Sequence, residues 1–360
     1  MITNFIVVNR FTSANGVGNS AVCLYEYLSE KYSKPIVVCM RGDSYYSGLK
    51  NIHVFPVTIP YSLEIIVLPL FALFYARKHY LKHSFEVLLA NPNYFHIHFD
   101  HNMKKERGRR NVIKAVSRCV ASKVTKVAYE IALRRGAIMV APSQLLVDRL
   151  KLDKISSSSS FHILPNCLSQ NDFTSLISGY GIGDKKLVFD KKNSKQSKNT
   201  AAIIANGDFN FKGLNRIDEV LRTIPSDWDL LIVGIGNKYE IPTKYQNRIR
   251  AMDRISRYDL WNLLDSLGAI VIASPFESFS MVALEGIVQG VPIISLGPTG
   301  IQEFYDEYVK VTGVKSLFFN IGSQPTLSSK GFFMFDIEKQ TGFQKFLLSK
   351  RQATFNEMNL

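Results

Sequence analysis

Short, mainly apolar runs alternate with longer segments of helical period along this chain. Asn4-Phe5-Ile6-Val7-Val8 is the first run, Pro35 to Met40 the second and Ile52 to Phe55 the third. Between the first two lie a polar stretch, Asn9 to Asn15, the loop Gly16-Val17-Gly18, and a segment with Val22, Tyr25, Glu26 and Leu28 at helical spacing. Strand, glycine loop, helix and strand read as a βαβ unit, because strands apolar throughout are buried on both faces of a parallel sheet. Further strands are predicted at Phe95–Phe99, Ala137–Ala141 and Phe161–Leu164. Lys191 to Lys198 contains no apolar residue and reads as exposed chain. A second strand series follows at Ala201–Ala205, Leu230–Gly234, Ala269–Ala273 and Val291–Ser295. The pattern predicts an α/β protein of two Rossmann-like, doubly wound domains facing across a cleft. The boundaries expected are 1–175 for the first domain, 176–199 for a linker and 200–340 for the second. For 341–360, a return to the first domain is one reading. Ligands in such sheets sit at the carboxyl ends of the strands.

Composition narrows the class without changing the fold. The 360 residues are 46% apolar and 21% charged, which excludes disorder, collagen and coiled coil. The longest apolar run, Ile65 to Ala76, is too short to span a bilayer, and Met1 to Phe5 lacks the pattern of a leader. Four scattered cysteines without a CxxC pair argue against a disulfide framework or zinc knuckle and fit a reducing cytosol. The net charge of +14 implies an anionic partner. It is concentrated between Lys104 and Arg135, where eleven basic residues face only Glu106 and Glu130. There Val112, Val116, Val120 and Val124, continued by Val127 and Ile131, predict the apolar side of a basic helix. Such a helix suits a membrane surface, with Arg109, Arg110, Lys114 and Arg118 toward anionic headgroups or an acceptor. The plainer alternative is a surface helix with a solvated basic face. Nucleic acid is not expected, because no aromatics interleave with the cations.

Candidate chemistry concentrates in Ser274-Pro275-Phe276-Glu277-Ser278-Phe279-Ser280-Met281-Val282-Ala283-Leu284-Glu285-Gly286, which leaves a buried strand and enters a helix. Glu285 shares an apolar stripe with Met281, Leu284 and Val288, so its carboxylate is desolvated and needs partners. Ligand hydroxyls are the partners expected; a neighbouring Arg or Lys is the alternative. Glu277, in the loop, can face the same ligand, and the amides of Phe279, Ser280 and Met281 form a helix N-terminus suited to a phosphate or sugar oxygen. His96, His98 and His101 end a first-domain strand, and alternation does not decide which faces the reaction centre. Asp227-Trp228-Asp229 reads as a turn, not as a metal motif.

This segment resembles the E-x7-E pattern of retaining glycosyltransferases of family 4, which have the GT-B fold. Glu277-Ser278-Phe279-Ser280-Met281 through Glu285-Gly286 carries it, followed by Gly290-Val291-Pro292-Ile293. Ala205 to Gly213, Leu231 to Gly236, Gly300-Ile301-Gln302-Glu303, Leu164-Pro165-Asn166 and Val140-Ala141-Pro142-Ser143 are similar to further motifs of that family. The resemblance implies transfer of a hexosyl or N-acetylhexosaminyl unit (EC 2.4) from a UDP- or GDP-sugar to a glycan or lipid-linked acceptor. The setting it implies is bacterial lipopolysaccharide, capsule or glycolipid assembly, on the cytoplasmic face of the membrane, with no cofactor and no metal. It implies that Glu277 holds donor-sugar hydroxyls, Glu285 the ribose, and Lys212 the diphosphate, with Arg216 assisting. Gly16, Gly18, Gly207 and Gly234 would approach the donor, along with Ser278, Phe279, Ser280 and Met281, and His98 would serve the reaction centre. One departure stands out: the family's usual Arg after the loop glycine is Asp208 here. A non-catalytic sugar-nucleotide- or polysaccharide-binding protein of the same fold is therefore the alternative.

Overall fold

The computed structural model describes residues 3–13, 15–42, 48–59, 61–87, 89, 91–98, 112–152, 161–178, 199–205, 211–236, 239–314, 316–320, 337–358 and 360. The chain divides into two units, Met1–Gln170 with Leu348–Leu360, and Asn171–Leu347.

In the first unit, β1 (Asn4–Phe11), β2 (Ile36–Gly42), β3 (Ile52–Val54), β4 (Leu81–Phe85), β5 (Tyr94–His96), β6 (Ile138–Ala141) and β7 (Phe161–Ile163) form one parallel sheet. Its order is β3-β2-β1-β4-β5-β6-β7, with β1 between β2 and β4. Phe5, Ile6, Val7 and Val8 of β1 have no exposed surface, as expected of a strand covered on both faces. β1 runs three residues past the apolar stretch. Arg10 and Phe11 pair with Arg41 and Gly42, so part of the predicted loop is strand.

Helix α1 (Gly16–Lys31) begins at the first glycine, so Gly16 to Gly18 is a helical turn and not a loop. Asn15 caps it, its Oδ1 accepting from the Gly18 amide at 2.8 Å. The polar strand β4 was not foreseen. Its His83 and Ser84 are fully buried because they find partners inside, His83 Nε2 beside Asn4 Oδ1 at 3.3 Å and Ser84 Oγ donating to the Val87 carbonyl at 2.5 Å. The apolar run becomes helix α2 (Tyr61–Leu73).

Helix α3 (Val112–Arg134) is the predicted basic helix, and α2 packs on it. Lys114 and Arg118 fall within it; Arg109 and Arg110 lie outside the described residues. The predicted apolar side is corrected at its second half. Thr125, Ala128, Tyr129 and Ala132 are buried, at i, i+3, i+4 and i+7, while Val127 is 47% exposed beside the exposed Lys123 and Lys126. Helix α4 (Gln144–Leu152) completes this series.

Helix α5 (Gln170–Ser178) enters the second unit. There β8 (Thr200–Ile204), β9 (Asp229–Val233), β10 (Ile249–Met252), β11 (Ala269–Ile272), β12 (Ile293–Ser295) and β13 (Phe318–Asn320) form a parallel sheet ordered β10-β9-β8-β11-β12-β13. Helices α6 (Ile217–Thr223), α7 (Arg257–Leu264), α8 (Met281–Val288) and α9 (Gly300–Thr312) connect its strands. Helix α10 (Ile337–Glu357) begins in the second unit and ends in the first.

Candidate functional site

The carboxyl edge of the second sheet gathers the residues that the sequence singled out. Lys212, in the turn after β8, donates from Nζ to Glu277 Oε1 at 2.7 Å. Ser274 Oγ donates to the same oxygen at 2.8 Å. The main chain pins Glu277: its amide donates to the Pro298 carbonyl at 3.0 Å, and its carbonyl accepts from the Gly300 amide at 3.0 Å. The Lys212 and Glu277 side chains remain 27% and 15% exposed. An ion pair that solvent reaches contributes about 1 kcal/mol or less to stability, so this one is better placed to meet a ligand than to hold the fold.

Two glycines shape the same edge. Gly213 has φ +74°, and a Cβ there would overlap the Ala273 carbonyl at the end of β11. Gly234 has φ +102° just past β9, its amide donating to the Met252 carbonyl at 3.0 Å. Arg216 is already engaged within the chain. Its Nε and Nη2 donate to both Glu219 carboxylate oxygens at 2.8 and 2.7 Å, and its Nη1 and Nη2 to the carbonyls of Ala273 and Leu296 at 3.2 and 3.0 Å. It ties α6 to the ends of β11 and β12, and turning to a diphosphate would mean giving up these bonds. Gly207 and Asp208 lie outside the described residues.

Ser280 caps α8 with φ +79° and ψ +93°, a conformation that a residue with a side chain adopts at a strain of about 1–3 kcal/mol. Strain of this kind gathers where a ligand is met. Ser278 and Met281 flank it half-buried, whereas the Phe279 ring is core, 6.0 Å from Phe304. Contact with a donor at Phe279 therefore falls to its main chain.

Glu285 is 4% exposed, and within the chain it has the basic partner that was the alternative to ligand hydroxyls. Arg257 supplies it, Nε and Nη2 donating to Oε1 at 3.1 and 2.7 Å. The third nitrogen, Nη1, donates to Asp172 Oδ2 at 3.0 Å. One guanidinium thus bridges two buried carboxylates. Burial still outweighs the Arg257 charge and holds the Glu285 pKa above the ordinary carboxylate value.

In the first unit, Gly18 has no room for a Cβ because the carbonyl oxygens of Arg10 and Thr12 press against it. Gly16 opens the same helix N-terminus. His98 is 5% exposed, and its amide donates to Glu86 Oε1 at 2.7 Å. Burial pushes its pKa down to about 4, opposed by the Glu86 charge, so the ring is neutral at neutral pH. Its Nδ1 is buried and has no hydrogen-bond partner. His96 stacks on Phe85 at 4.1 Å and its Nε2 lies 3.4 Å from His83 Nδ1, while its buried Nδ1, like that of His98, has no hydrogen-bond partner. Between these two, only His98 combines burial with a place past the strand end; His101 lies outside the described residues. Among the described residues, no three His, Cys, Asp or Glu side chains are grouped to hold a metal ion.

Sequence reasoning missed Arg257, Asp172 and Thr299, whose buried Oγ1 has no partner. Ser274 opened the candidate segment, three residues before Glu277, but without a role of its own. Arg257 and Asp172 come from α7 and α5, far along the chain, and carry no local signal.

Residues 184–316 match the family described as Glycosyl transferases group 1. A curated relative, the lipopolysaccharide 1,6-galactosyltransferase of Escherichia coli K12, is 30% identical over 107 residues. That match spans 27% of this chain and 30% of the relative's length. Solved structures match throughout. Anabaena HepE in complex with UDP has a TM-score of 0.59 at 15% identity, each chain covered in full. WaaG, a glycosyltransferase involved in lipopolysaccharide biosynthesis, has 0.57 at 13% identity, with 97% of this chain and 92% of that one covered. The lipopolysaccharide outer core galactosyltransferase WaaB, in its apo form, has 0.57 at 14%, covering 99% and 100%. The fold is GT-B.

Proposed function

We propose that this chain is a retaining glycosyltransferase that moves a hexosyl or N-acetylhexosaminyl unit from a UDP- or GDP-sugar to a glycan or lipid-linked acceptor. The setting is lipopolysaccharide, capsule or glycolipid assembly on the cytoplasmic face of the membrane, with a peripheral contact through basic helix α3. The observation that carries the reading is the Lys212–Glu277–Ser274 cluster, at the carboxyl edge of a parallel sheet and beside the strained N-terminus of α8. It lies within the segment that matches group 1 glycosyl transferases.

The leaving group of such a reaction is a nucleoside diphosphate, so its transition state gathers negative charge on phosphate oxygens. Lys212 would exchange part of its bond to Glu277 for those oxygens, with helix amides assisting. Glu277 would then accept from donor-sugar hydroxyls, and Glu285, held by Arg257, would address the ribose. His98, neutral and with an unpartnered nitrogen, is suited to a hydroxyl near the reacting carbon rather than to acid catalysis. The departing phosphate would take the acceptor proton. No metal or cofactor enters this scheme.

The test is release of nucleoside diphosphate from a panel of nucleotide sugars. Lys212→Ala should lose donor turnover about 100-fold or more, as does removal of a charge-stabilising group elsewhere. Glu277→Ala should lose turnover while binding the bare diphosphate with nearly unchanged affinity. Equal losses in both measurements would remove the sugar role of Glu277. The second reading, a non-catalytic sugar-nucleotide or polysaccharide binder, rests on Asp208 in place of the family's Arg. It predicts nucleotide binding with no diphosphate released from any donor.

A further inference from the structure

Helix α2 is apolar around most of its circumference, and among the described residues one side of it is left uncovered. The inner side sets Glu64, Leu68 and Ala72 into the domain at 1% exposure or less. The Glu64 carboxylate is fixed there by Arg41, whose Nε and Nη2 donate to Oε1 at 3.1 and 2.7 Å. On the outer side Leu63, Ile66, Leu70 and Leu73 are 48, 51, 57 and 54% exposed, and Phe74, one residue past the helix, is 82% exposed. That spacing keeps all five within about 100° of arc and about 16 Å of length. Single exposed hydrophobics are ordinary, but a continuous row of this kind calls for a cover.

Charge indicates what the cover is. Between Tyr61 and Lys82 the only acidic residue is Glu64, which is buried on Arg41. Immediately past Phe74 the chain turns through Arg77 and Lys78, both exposed. Helix α3, packed against α2, adds exposed Lys123, Lys126 and Val127. An apolar row rimmed by cations is complementary to an anionic headgroup layer over hydrocarbon. A second copy of this chain meeting the row would set cations against cations. At 13 residues the helix is about 20 Å long and cannot span a bilayer.

We infer that the outer face of α2 is a membrane anchor lying in the plane of an anionic bilayer. Leu63, Ile66, Leu70, Leu73 and Phe74 enter the headgroup–acyl boundary, and Arg77 and Lys78 pair with lipid phosphates. The inference rests on the peripheral-membrane part of the proposed function and adds an apolar anchor to the basic helix. Arg41 and Glu64 hold the helix from below, so insertion needs no unpacking.

Vesicles of equal parts phosphatidylglycerol and phosphatidylcholine provide the test. Both native tryptophans, Trp228 and Trp261, are buried in the second unit, so a Phe74→Trp variant reports on the anchor alone. Its added emission should shift to the blue with these vesicles and be quenched by bromine on the acyl chains. The triple variant Leu70→Ser, Leu73→Ser, Phe74→Ser should bind them about tenfold or more weakly, with an unchanged melting temperature because these side chains are exposed. If the triple variant binds like the parent while Lys123→Glu with Lys126→Glu abolishes binding, charge alone holds the membrane. The anchor is then overturned and the peripheral reading stands. If the parent ignores the vesicles even at low salt, both fall. If the blue shift instead follows protein concentration without lipid, and the triple variant turns a dimer into a monomer, a second copy is the cover and the anchor is overturned. Donor hydrolysis, measured on the same samples without lipid, bears only on the transferase reading.

Discussion

Arg257 is the residue on which the second unit's buried charge turns. It neutralises Glu285 and Asp172 together, and its own side chain is 16% exposed. Removing one partner of a buried charge network leaves the rest uncompensated, at about 3–5 kcal/mol. Arg257→Met should therefore lower the unfolding free energy by about 3 kcal/mol or more in urea titrations at neutral pH. Glu285→Gln should behave differently. The amide oxygen still accepts from Arg257, so the fold persists, while nucleotide affinity falls if Glu285 holds the ribose. Its pH dependence also has a definite sign. The Glu285 pKa is raised, so the folded chain keeps a proton that the unfolded chain has lost. Stability therefore declines as pH rises from the ordinary carboxylate value through the raised one, and Gln removes that decline. The burial of Glu285 was legible from its apolar stripe, because period alone decides which face a helix buries. An Arg or Lys was one of the two partners the sequence offered, but which one was not legible, because a guanidinium reaching over from another helix leaves no mark on local pattern.

Among the elements, strands β1, β8, β9, β11 and β12 were legible as buried β-branched runs. Strand β4 was not, because its burial is carried by hydrogen-bonded His83 and Ser84. That polar strand and its neighbour β5 make the first sheet sensitive to acid. Burial pushes His83 down to about 3 and His98 to about 4, and Glu86, Arg351 and Asn166 face His98. With a lowered folded pKa, the unfolded chain binds protons that the folded chain refuses. Stability is thus complete above the ordinary histidine value of about 6.5 and is lost as pH falls below it. For His98 the loss between pH 6.5 and 4 is about 3 kcal/mol. His98→Gln should flatten the acid limb of the unfolding free energy from urea titrations by that amount, and a parent profile flat between pH 7 and 4 would contradict the buried neutral ring. The turn after β8 makes an equally local demand. Gly213→Ala meets both a positive φ and the Ala273 carbonyl, so it should destabilise by about 2 kcal/mol or more and weaken nucleotide binding through displaced Lys212.

At the scale of the whole molecule, the last thirteen residues decide whether the first unit has a complete core. Phe355, Met358 and Leu360 are 1–3% exposed and join the cluster of Val8, Phe11, Tyr25 and Phe85. Phe355 stacks on Tyr27 at 4.1 Å, and Tyr94 donates its hydroxyl to the Met358 carbonyl at 3.0 Å. Arg351 Nη1 donates to the Pro165 carbonyl at 2.7 Å and Thr354 Oγ1 to the Ile163 carbonyl at 2.8 Å. Each large buried side chain is worth about 2–5 kcal/mol when removed, so losing three approaches the 5–15 kcal/mol that holds a typical domain together. Phe343 and Leu347, in the first half of α10, belong to the other core, Phe343 meeting Tyr305 at 5.1 Å. A chain ending at Leu347 should therefore lose the first unit and keep the second. The two tryptophans separate the outcomes, because Trp228 and Trp261 lie buried in the second unit. Their emission should stay blue and unfold cooperatively in urea, while far-ultraviolet circular dichroism falls by roughly half, as expected when one of two comparable α/β units melts. If emission and dichroism are lost together, the two cores are one cooperative unit. If both are retained, the α10 contacts add nothing that the first sheet lacks.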